Sequence, residues 1–161
     1  MYQIVPMAQE HVESVLNMMR CFYDSPAVLV ASPVSVFEAD LKAAVSGSPY
    51  LEGYVFMEDS RPAGYALCSL SWSTEYGGVC VWTEDLYLEE AARGKGLGSH
   101  FLRYIEESHP EAVRFRLEAE ENNDRAVAVY RHLGYQPSPY LQLTRERVAY
   151  PVKQIDPDKE I

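Results

Sequence analysis

Three glycines and two cations fall within six consecutive positions, Arg93 to Gly98, in the stretch "ARGKGLG". Residues 79–88 before it are rich in aliphatic and aromatic side chains and predict a strand. Apolar residues after it, over 97–105, recur at helical spacing. A glycine-rich turn from strand to helix exposes backbone N–H groups that have no intrahelical partner, and the helix dipole adds positive charge there. The stretch therefore predicts an anion-binding loop in an α/β fold.

Glycine permits positive φ and lets a ligand approach the backbone, so Gly94, Gly96 and Gly98 all suit such a loop. Arg93 and Lys95 are expected to add charge-assisted contacts. The alternative is a surface turn with incidental cations. Nucleotide loops have other spacings: neither G-x-x-x-x-G-K-[ST] nor G-x-G-x-x-G occurs here, which disfavours a nucleotide-binding protein.

The formal net charge of −10 argues against a nucleic-acid partner, because phosphate backbones are bound by basic surfaces. It suits a cationic substrate, although an acidic surface also simply maintains solubility. No apolar run is long enough to span a bilayer, and the first residues show no export signal, so we expect a cytoplasmic protein without a membrane partner. The three cysteines and four histidines lack ligand spacing, and we assign no metal.

The remaining segments alternate between helical and strand-like patterns. Helices are predicted over 8–22 and 35–45, and another lies between Asn123 as N-cap and Gly134 as C-terminal stop. The predicted strands are 2–5, 54–57, 64–72, 79–88, 113–117 and 135–144, of which the last contains two prolines and is expected at an edge. This order predicts one mixed α/β domain over residues 1–145, followed by a loose polar tail over 146–161.

Two segments of the chain resemble the GNAT superfamily of acyl-CoA-dependent N-acetyltransferases. The strand "TEDLYL" precedes the loop pattern [RQ]-x-x-G-x-[GA], and "NDRAVAVYRHLGY" resembles the signature N-x-x-A-x-x-x-Y-x-x-x-G-[FY]. Five positions carry the second match: Asn123, Ala126, Tyr130, Gly134 and Tyr135. The resemblance is strongest over residues 79–135, and its strand is most similar to that of the diamine and polyamine acetyltransferase branch.

The resemblance implies a central, mostly antiparallel sheet with helices on both faces, splayed between its fourth and fifth strands. Acetyl-CoA would be the co-substrate in that cleft. Residues 86–88 would pair with its pantetheine arm, 93–99 would hold its pyrophosphate, and Asn123 would bond the pantetheine. The implied coenzyme-binding set is Leu86, Tyr87, Leu88, Arg93, Gly94, Lys95, Gly96, Leu97, Gly98, Ser99, Asn123, Ala126 and Tyr130.

Acyl transfer to an alkylamine, whose pKa is about 10.4, needs a proton acceptor for the ammonium group and a proton donor for the thiolate. Glu84 is the candidate acceptor, and a solvent-facing strand residue is its alternative. Asp85 is expected on the opposite face of a regular strand and is excluded from that role. Tyr130, about two turns after Asn123, is the candidate donor, with a core tyrosine as the alternative. The N–H group of Leu86 would stabilise the oxyanion.

Five residues lie on segments that line the acceptor side of the resembled fold: Tyr23, Asp24, Trp72, Glu75 and Tyr76. Acidic and aromatic groups suit a cationic amine, but Trp72 and Tyr76 could equally belong to the core. The sequence thus favours an N-acetyltransferase that acts on a primary amine of a diamine, polyamine or amino-acid-like molecule in a ternary complex. A non-catalytic acyl-CoA-binding module, a protein amino group as acceptor, and a homodimer remain open.

Overall fold

The computed structural model describes residues 1–154, and the statements below refer to that part of the chain. It contains five strands and four helices, with short 3-10 turns at Gln9–His11 and Glu90–Ala92. In chain order the elements are β1 Tyr2–Pro6, α1 Val12–Asp24, α2 Val34–Val45, β2 Leu51–Glu58, β3 Arg61–Ser73, β4 Gly78–Leu88, α3 Leu97–Ser108, β5 Ala112–Leu117 and α4 Asp124–His132.

The five strands form one sheet in the order β1-β2-β3-β4-β5. Three pairings are antiparallel, and β4 pairs with β5 in parallel. That last pairing ends at Thr83 opposite Leu117, whereas β4 continues to Leu88. The predicted mixed sheet, splayed between its fourth and fifth strands, is therefore confirmed.

Helices cover both faces of the sheet. One face carries α1 and α2, and we call the buried cluster there the α1-side core; its largest members are Met19, Phe37, Leu41 and Tyr65. The other face carries α3, and the α3-side core includes Phe56, Val81, Phe101 and Ile105, with Tyr130 and Leu133 of α4 packed against it. These two layers pack against the two faces of β4 up to the point where the sheet opens.

The last predicted strand is wrong. Residues 135–144 are all described, and they form an irregular segment instead of a strand. Pro137 and Pro139 each lack a backbone N–H group, so a continuous ladder cannot form there.

The C-terminal tail lies against the body of the domain at residues 151–153. Ala31 N–H donates to Pro151 O at 2.9 Å, Lys153 N–H donates to Leu29 O at 2.7 Å, and Val30 forms a bridge with Val152. The expectation of a loose tail does not hold for these residues; 155–161 lie outside the described part. Within residues 1–154, no helix is both long and apolar enough to cross a membrane.

Candidate functional site

Beyond Thr83, the edge of β4 that faces β5 is open. Glu89 N–H donates to Ala63 O of β3 at 2.9 Å. Because backbone polar groups alternate in direction along a strand, those of Leu86 and Leu88 point to the open edge and those of Tyr87 point to β3. An extended chain laid along this edge would find the amide groups of Leu86 and Leu88.

The glycine loop leads from this edge into α3. Gly94 and Gly96 have φ values of +74° and +77°, which other residues rarely adopt. Gly96 is the N-cap of α3, and no side chain caps the helix. The first intrahelical bond runs from His100 N–H to Gly96 O at 2.9 Å, so the N–H groups of 97–99 lack an intrahelical partner. The loop therefore fits a bound anion such as a pyrophosphate.

Gly98 differs from the other two glycines. It lies in the first turn of α3, and a Cβ atom there would meet only Leu86 Cδ2 at 3.8 Å, an ordinary contact. The conformational freedom of glycine is therefore used at Gly94 and Gly96, whereas Gly98 is a helical residue whose φ is not positive.

The cations of the loop have partners within the protein. Lys95 Nζ donates to Tyr2 Oη at 2.7 Å and lies 3.5 Å from Glu58 Oε1. Arg93 Nε donates to Leu88 O at 3.0 Å. A third cation, Arg125 of α4, brings Nη2 within 3.4 Å of the place that a Cβ of Gly94 would occupy. Arg125 thus adds positive charge to the loop.

Helix α4 carries two of the residues predicted for the site, Asn123 and Tyr130. Asn123 Oδ1 accepts a hydrogen bond from Ala126 N–H at 3.2 Å, which confirms Asn123 as the N-cap and leaves its side-chain NH₂ group as a donor. Tyr130, further along the helix, packs against the α3-side core. Burial raises the pKa of Tyr130, so its phenol is protonated at neutral pH, as a proton donor must be.

A large cleft of about 1230 Å³ opens at the splay between β4 and β5. The C-terminus of α1 and residues 27–30 form one wall, and residues 114–121 with 133–139 form the other. Trp82, Glu84 and Asp85 of β4 also line it. Lys153 Nζ binds Tyr23 O at 2.6 Å and Ser25 O at 2.7 Å, and thereby ties the C-terminal segment to the first wall.

Both carboxylates of β4 face this large cleft. The register with β3 passes from Leu67↔Asp85 to Cys68↔Thr83, so Glu84 is the extra residue of a β-bulge. The bulge interrupts the alternation of side chains, and both Glu84 and Asp85 lie on the α1 side. The expectation that Asp85 points to the opposite face is therefore wrong, because the strand is not regular.

Asp85 is 5% exposed and accepts hydrogen bonds from Tyr23 Oη at 3.2 Å and Tyr65 Oη at 2.9 Å. Burial, opposed by these hydrogen bonds, raises its pKa from 3.8 to about 6. Burial and then the Asp85 charge raise the pKa of both tyrosines, which keeps them as donors. Glu84 accepts a hydrogen bond from the Ser69 hydroxyl.

The pKa of Asp85 predicts how stability varies with pH. Between pH 4 and 6 the carboxyl ionises in the unfolded chain but stays protonated in the fold, so stability is lost as the pH rises and the loss is complete above about pH 6. For Asp85→Asn we expect the free energy of unfolding, relative to the parent, to rise by up to about 3 kcal/mol from pH 4 to 7.5. Urea titrations at each pH measure this, and parallel curves would contradict it.

The acceptor-side predictions divide between two cavities. Tyr23 and Tyr76 line the large cleft, and Tyr76 stacks under Arg114 at 5.2 Å. Trp72 and Glu75 line a smaller neighbouring cavity of about 490 Å³. Trp72 and Tyr76 are 65% and 61% exposed, which excludes the core alternative for both. Asp24 is exposed at the end of α1, outside the residues that line either cavity.

The sequence reasoning missed the cleft residues Trp82, Asp85 and Arg116, and Arg125 at the loop. Arg114 and Arg116 alternate with Phe115 and Leu117, a signal that places both arginines on one face. No comparable local signal reveals the bulge. Among residues 1–154, no three histidine, cysteine, aspartate or glutamate side chains are grouped as metal ligands would be.

The family model for the acetyltransferase (GNAT) family matches residues 14–135. The chain belongs to this family. The match spans the open strand, the glycine loop and α4, so the resemblance noted from these segments is confirmed at the level of the GNAT family.

Solved structures share the GNAT fold at low sequence identity. A possible acetyltransferase from Clostridium difficile 630 has a TM-score of 0.78 and 17% identity over 92% of this chain and 99% of that one. The aminoglycoside N-acetyltransferase AAC(6')-Iy, solved with a bisubstrate analogue of CoA and acetylneamine, has a TM-score of 0.74 and 15% identity over 92% and 99%. None of the curated proteins matches the chain.

Proposed function

We propose that this GNAT protein transfers an acetyl group from acetyl-CoA to a primary amine of a small molecule by direct attack in a ternary complex. One observation carries the proposal: the sheet opens where an anion-binding loop, an unpaired strand edge and a carboxylate-lined cleft adjoin. An acyl donor and an amine reaching this opening from opposite sides would meet beside Glu84.

The residues present fit coenzyme A. The N–H groups of 97–99 and Arg125 would hold the pyrophosphate, Leu86 and Leu88 would pair with the pantetheine, and the Asn123 NH₂ group would bond it from α4. When bound, the coenzyme supplies an activated thioester. Arg93 and Lys95, engaged with Leu88, Tyr2 and Glu58, would stiffen the loop.

The protein's own groups would move the protons. Glu84 takes a proton from the ammonium group in the large cleft, and the neutral amine attacks the thioester carbonyl carbon. Leu86 N–H donates to the carbonyl oxygen as negative charge develops there. The Tyr130 hydroxyl then donates a proton to the sulfur as the C–S bond breaks, and the second proton that the attacking nitrogen loses returns the tyrosinate to its neutral form. Glu84 lies on the α1 side and would deprotonate the amine, whereas Tyr130 lies on the α3 side and would protonate the sulfur of the leaving group.

The chemical class of the acceptor is inferred from the negative charge of the large cleft. Glu84 and Asp85 line the cleft, and their negative charge favours a cationic amine. Asp40 of α2 lies near them, since its pKa is raised first by burial and second by the charge of Glu84. The likeness of "TEDLYL" to the diamine and polyamine branch makes those amines candidates beside amino-acid-like ones. A cytoplasmic location and a homodimer remain predictions.

Calorimetry of acetyl-CoA binding, with thiol release over a panel of amines, tests the proposal. We expect Gly96→Val to weaken binding by roughly tenfold or more, because a β-branched residue strains the backbone at positive φ and displaces the loop amides. Gly47→Val is the matched control: its φ is +73°, a Cβ there also meets nothing within 4 Å, and it follows α2 away from the loop.

Equal affinities for the two variants, or a thermal shift with ATP and none with coenzyme A, would overturn the coenzyme site. Binding without thiol release for any amine or peptide would instead identify a non-catalytic acyl-CoA-binding module. Turnover only with peptide amino groups would identify a protein acceptor.

A further inference from the structure

Arg116 has an unusual position in the large cleft. It lies on β5, paired in register with Trp82 of β4, and its guanidinium group stacks over the Trp82 ring at 4.0 Å from the centroid. The residue is half-buried and lines the cleft. The ring holds the planar group in one orientation, and stacking leaves the N–H donors at its edge available for a ligand.

The neighbouring Arg114 differs from Arg116 because it has a carboxylate partner. Arg114 has its own carboxylate: Nη1 lies 3.4 Å from Glu75 Oε2, and Glu75 is held in turn by Tyr140 Oη at 2.6 Å. Among residues 1–154, Arg116 has neither a carboxylate within 4 Å nor a hydrogen-bond acceptor. A guanidinium that is partly removed from water and lacks a counter-charge gains from binding an anion.

The spacing relates this cation to the reacting centre. Trp82, which sets the position of Arg116, and Glu84 are two residues apart on β4, or about 7 Å along the strand. Both side chains line the large cleft. A molecule whose amine lies beside Glu84 can therefore reach Arg116 with a second group, several bonds away from the amine.

We propose that Arg116 binds a carboxylate on the acceptor, so that the acceptor is a zwitterion with its primary amine and its carboxylate several bonds apart. This rests on the proposed function and narrows its substrate class. A carboxylate suits the cleft better than a phosphate group, because a dianion would be repelled by Glu118, Glu120 and Glu121 on the same wall. Diamines and polyamines would place an ammonium group against Arg116 and are disfavoured.

Three acceptors of matched length isolate the remote group: 6-aminohexanoate, 1,6-diaminohexane and hexylamine. For the parent we expect the highest kcat/KM with 6-aminohexanoate and the lowest with the diamine. In Arg116→Gln, the ratio of kcat/KM for 6-aminohexanoate to that for hexylamine should fall by roughly tenfold to hundredfold, the factor of one charge-assisted hydrogen bond. Arg116→Lys, which keeps the charge without the planar fork, should restore part of the ratio.

Arg103→Gln is the control: it removes the same charge from an exposed position on α3 and should leave the ratio unchanged. A parent that prefers the diamine, or an Arg116→Gln variant with the parental ratio, would overturn the inference while leaving the acetyltransferase proposal in place. If none of the three amines releases thiol, calorimetry still decides it. 6-Aminohexanoate should bind more tightly than hexylamine, and Arg116→Gln should lose that difference; equal affinities in the parent would overturn the inference.

Discussion

Tyr130→Phe should lower kcat by roughly 10²–10⁴ and leave the dissociation constant of coenzyme A almost unchanged. The substitution removes one hydroxyl and keeps the ring that packs against the α3-side core. Under the proposed mechanism that hydroxyl protonates the departing sulfur, and its raised pKa keeps the proton available well into the alkaline range. Steady-state thiol release and calorimetry with coenzyme A together measure the two effects.

Tyr104→Phe is the matched control, since Tyr104 of α3 is also a partly buried tyrosine packed against the α3-side core. It should keep the parental kcat. If Tyr130→Phe turned over at the parental rate, Tyr130 would be a core residue and the proton donor would have to be sought elsewhere.

Glu84→Gln should lower kcat/KM for an alkylamine by roughly 10²–10⁴ at pH 7, because the ammonium group then lacks a proton acceptor. The loss should shrink for an acceptor such as 2,2,2-trifluoroethylamine, which is already largely neutral at that pH and needs no base. Initial rates with both amines over pH 6–10 measure the difference. A purely structural role for Glu84 would reduce both rates alike.

Glu107→Gln, on the exposed face of α3, removes the same charge and should leave both rates unchanged. The bulge makes the adjacent carboxylate a sharp competitor, because Asp85 faces the same cleft. If Glu84→Gln stayed active and Asp85→Asn lost activity, the proton acceptor would be Asp85.

Much of the fold could be predicted because its signals are local. The glycine loop, the N-cap at Asn123 and the left-handed stop at Gly134, whose φ is +94°, depend on the preferences of single residues and their near neighbours. The hydrophobic periodicity placed all five strands and all four helices of residues 1–154 within a few positions of their observed bounds. The failure at 135–144 is also physical, since alternation there competes with two prolines.

The candidate site also has parts that local sequence predicts and parts that it does not. The N-terminus of α3 with its glycine loop follows from local pattern, whereas the open edge of β4 was expected only from the resemblance to the GNAT superfamily, because it depends on where β5 stops pairing. The positions of its charged side chains do not follow from local pattern. The hydrogen bond of Lys95 to Tyr2 joins residues separated by 93 positions, and that of Lys153 to Tyr23 joins residues separated by 130 positions. No short window of sequence contains such a pair.

By itself, the sequence determined that this chain places a glycine-rich loop between a strand and a helix, because φ preference and periodicity act within a few residues. Only the tertiary structure decided which charged groups line the large cleft. The bulge at Glu84 turns Asp85 into the large cleft, and the pairing of β5 with β4 sets Arg116 on Trp82 without a carboxylate among the described residues. Strand register and burial are properties of the assembled sheet, so the orientation and charge balance of these side chains arise only when distant segments pack together.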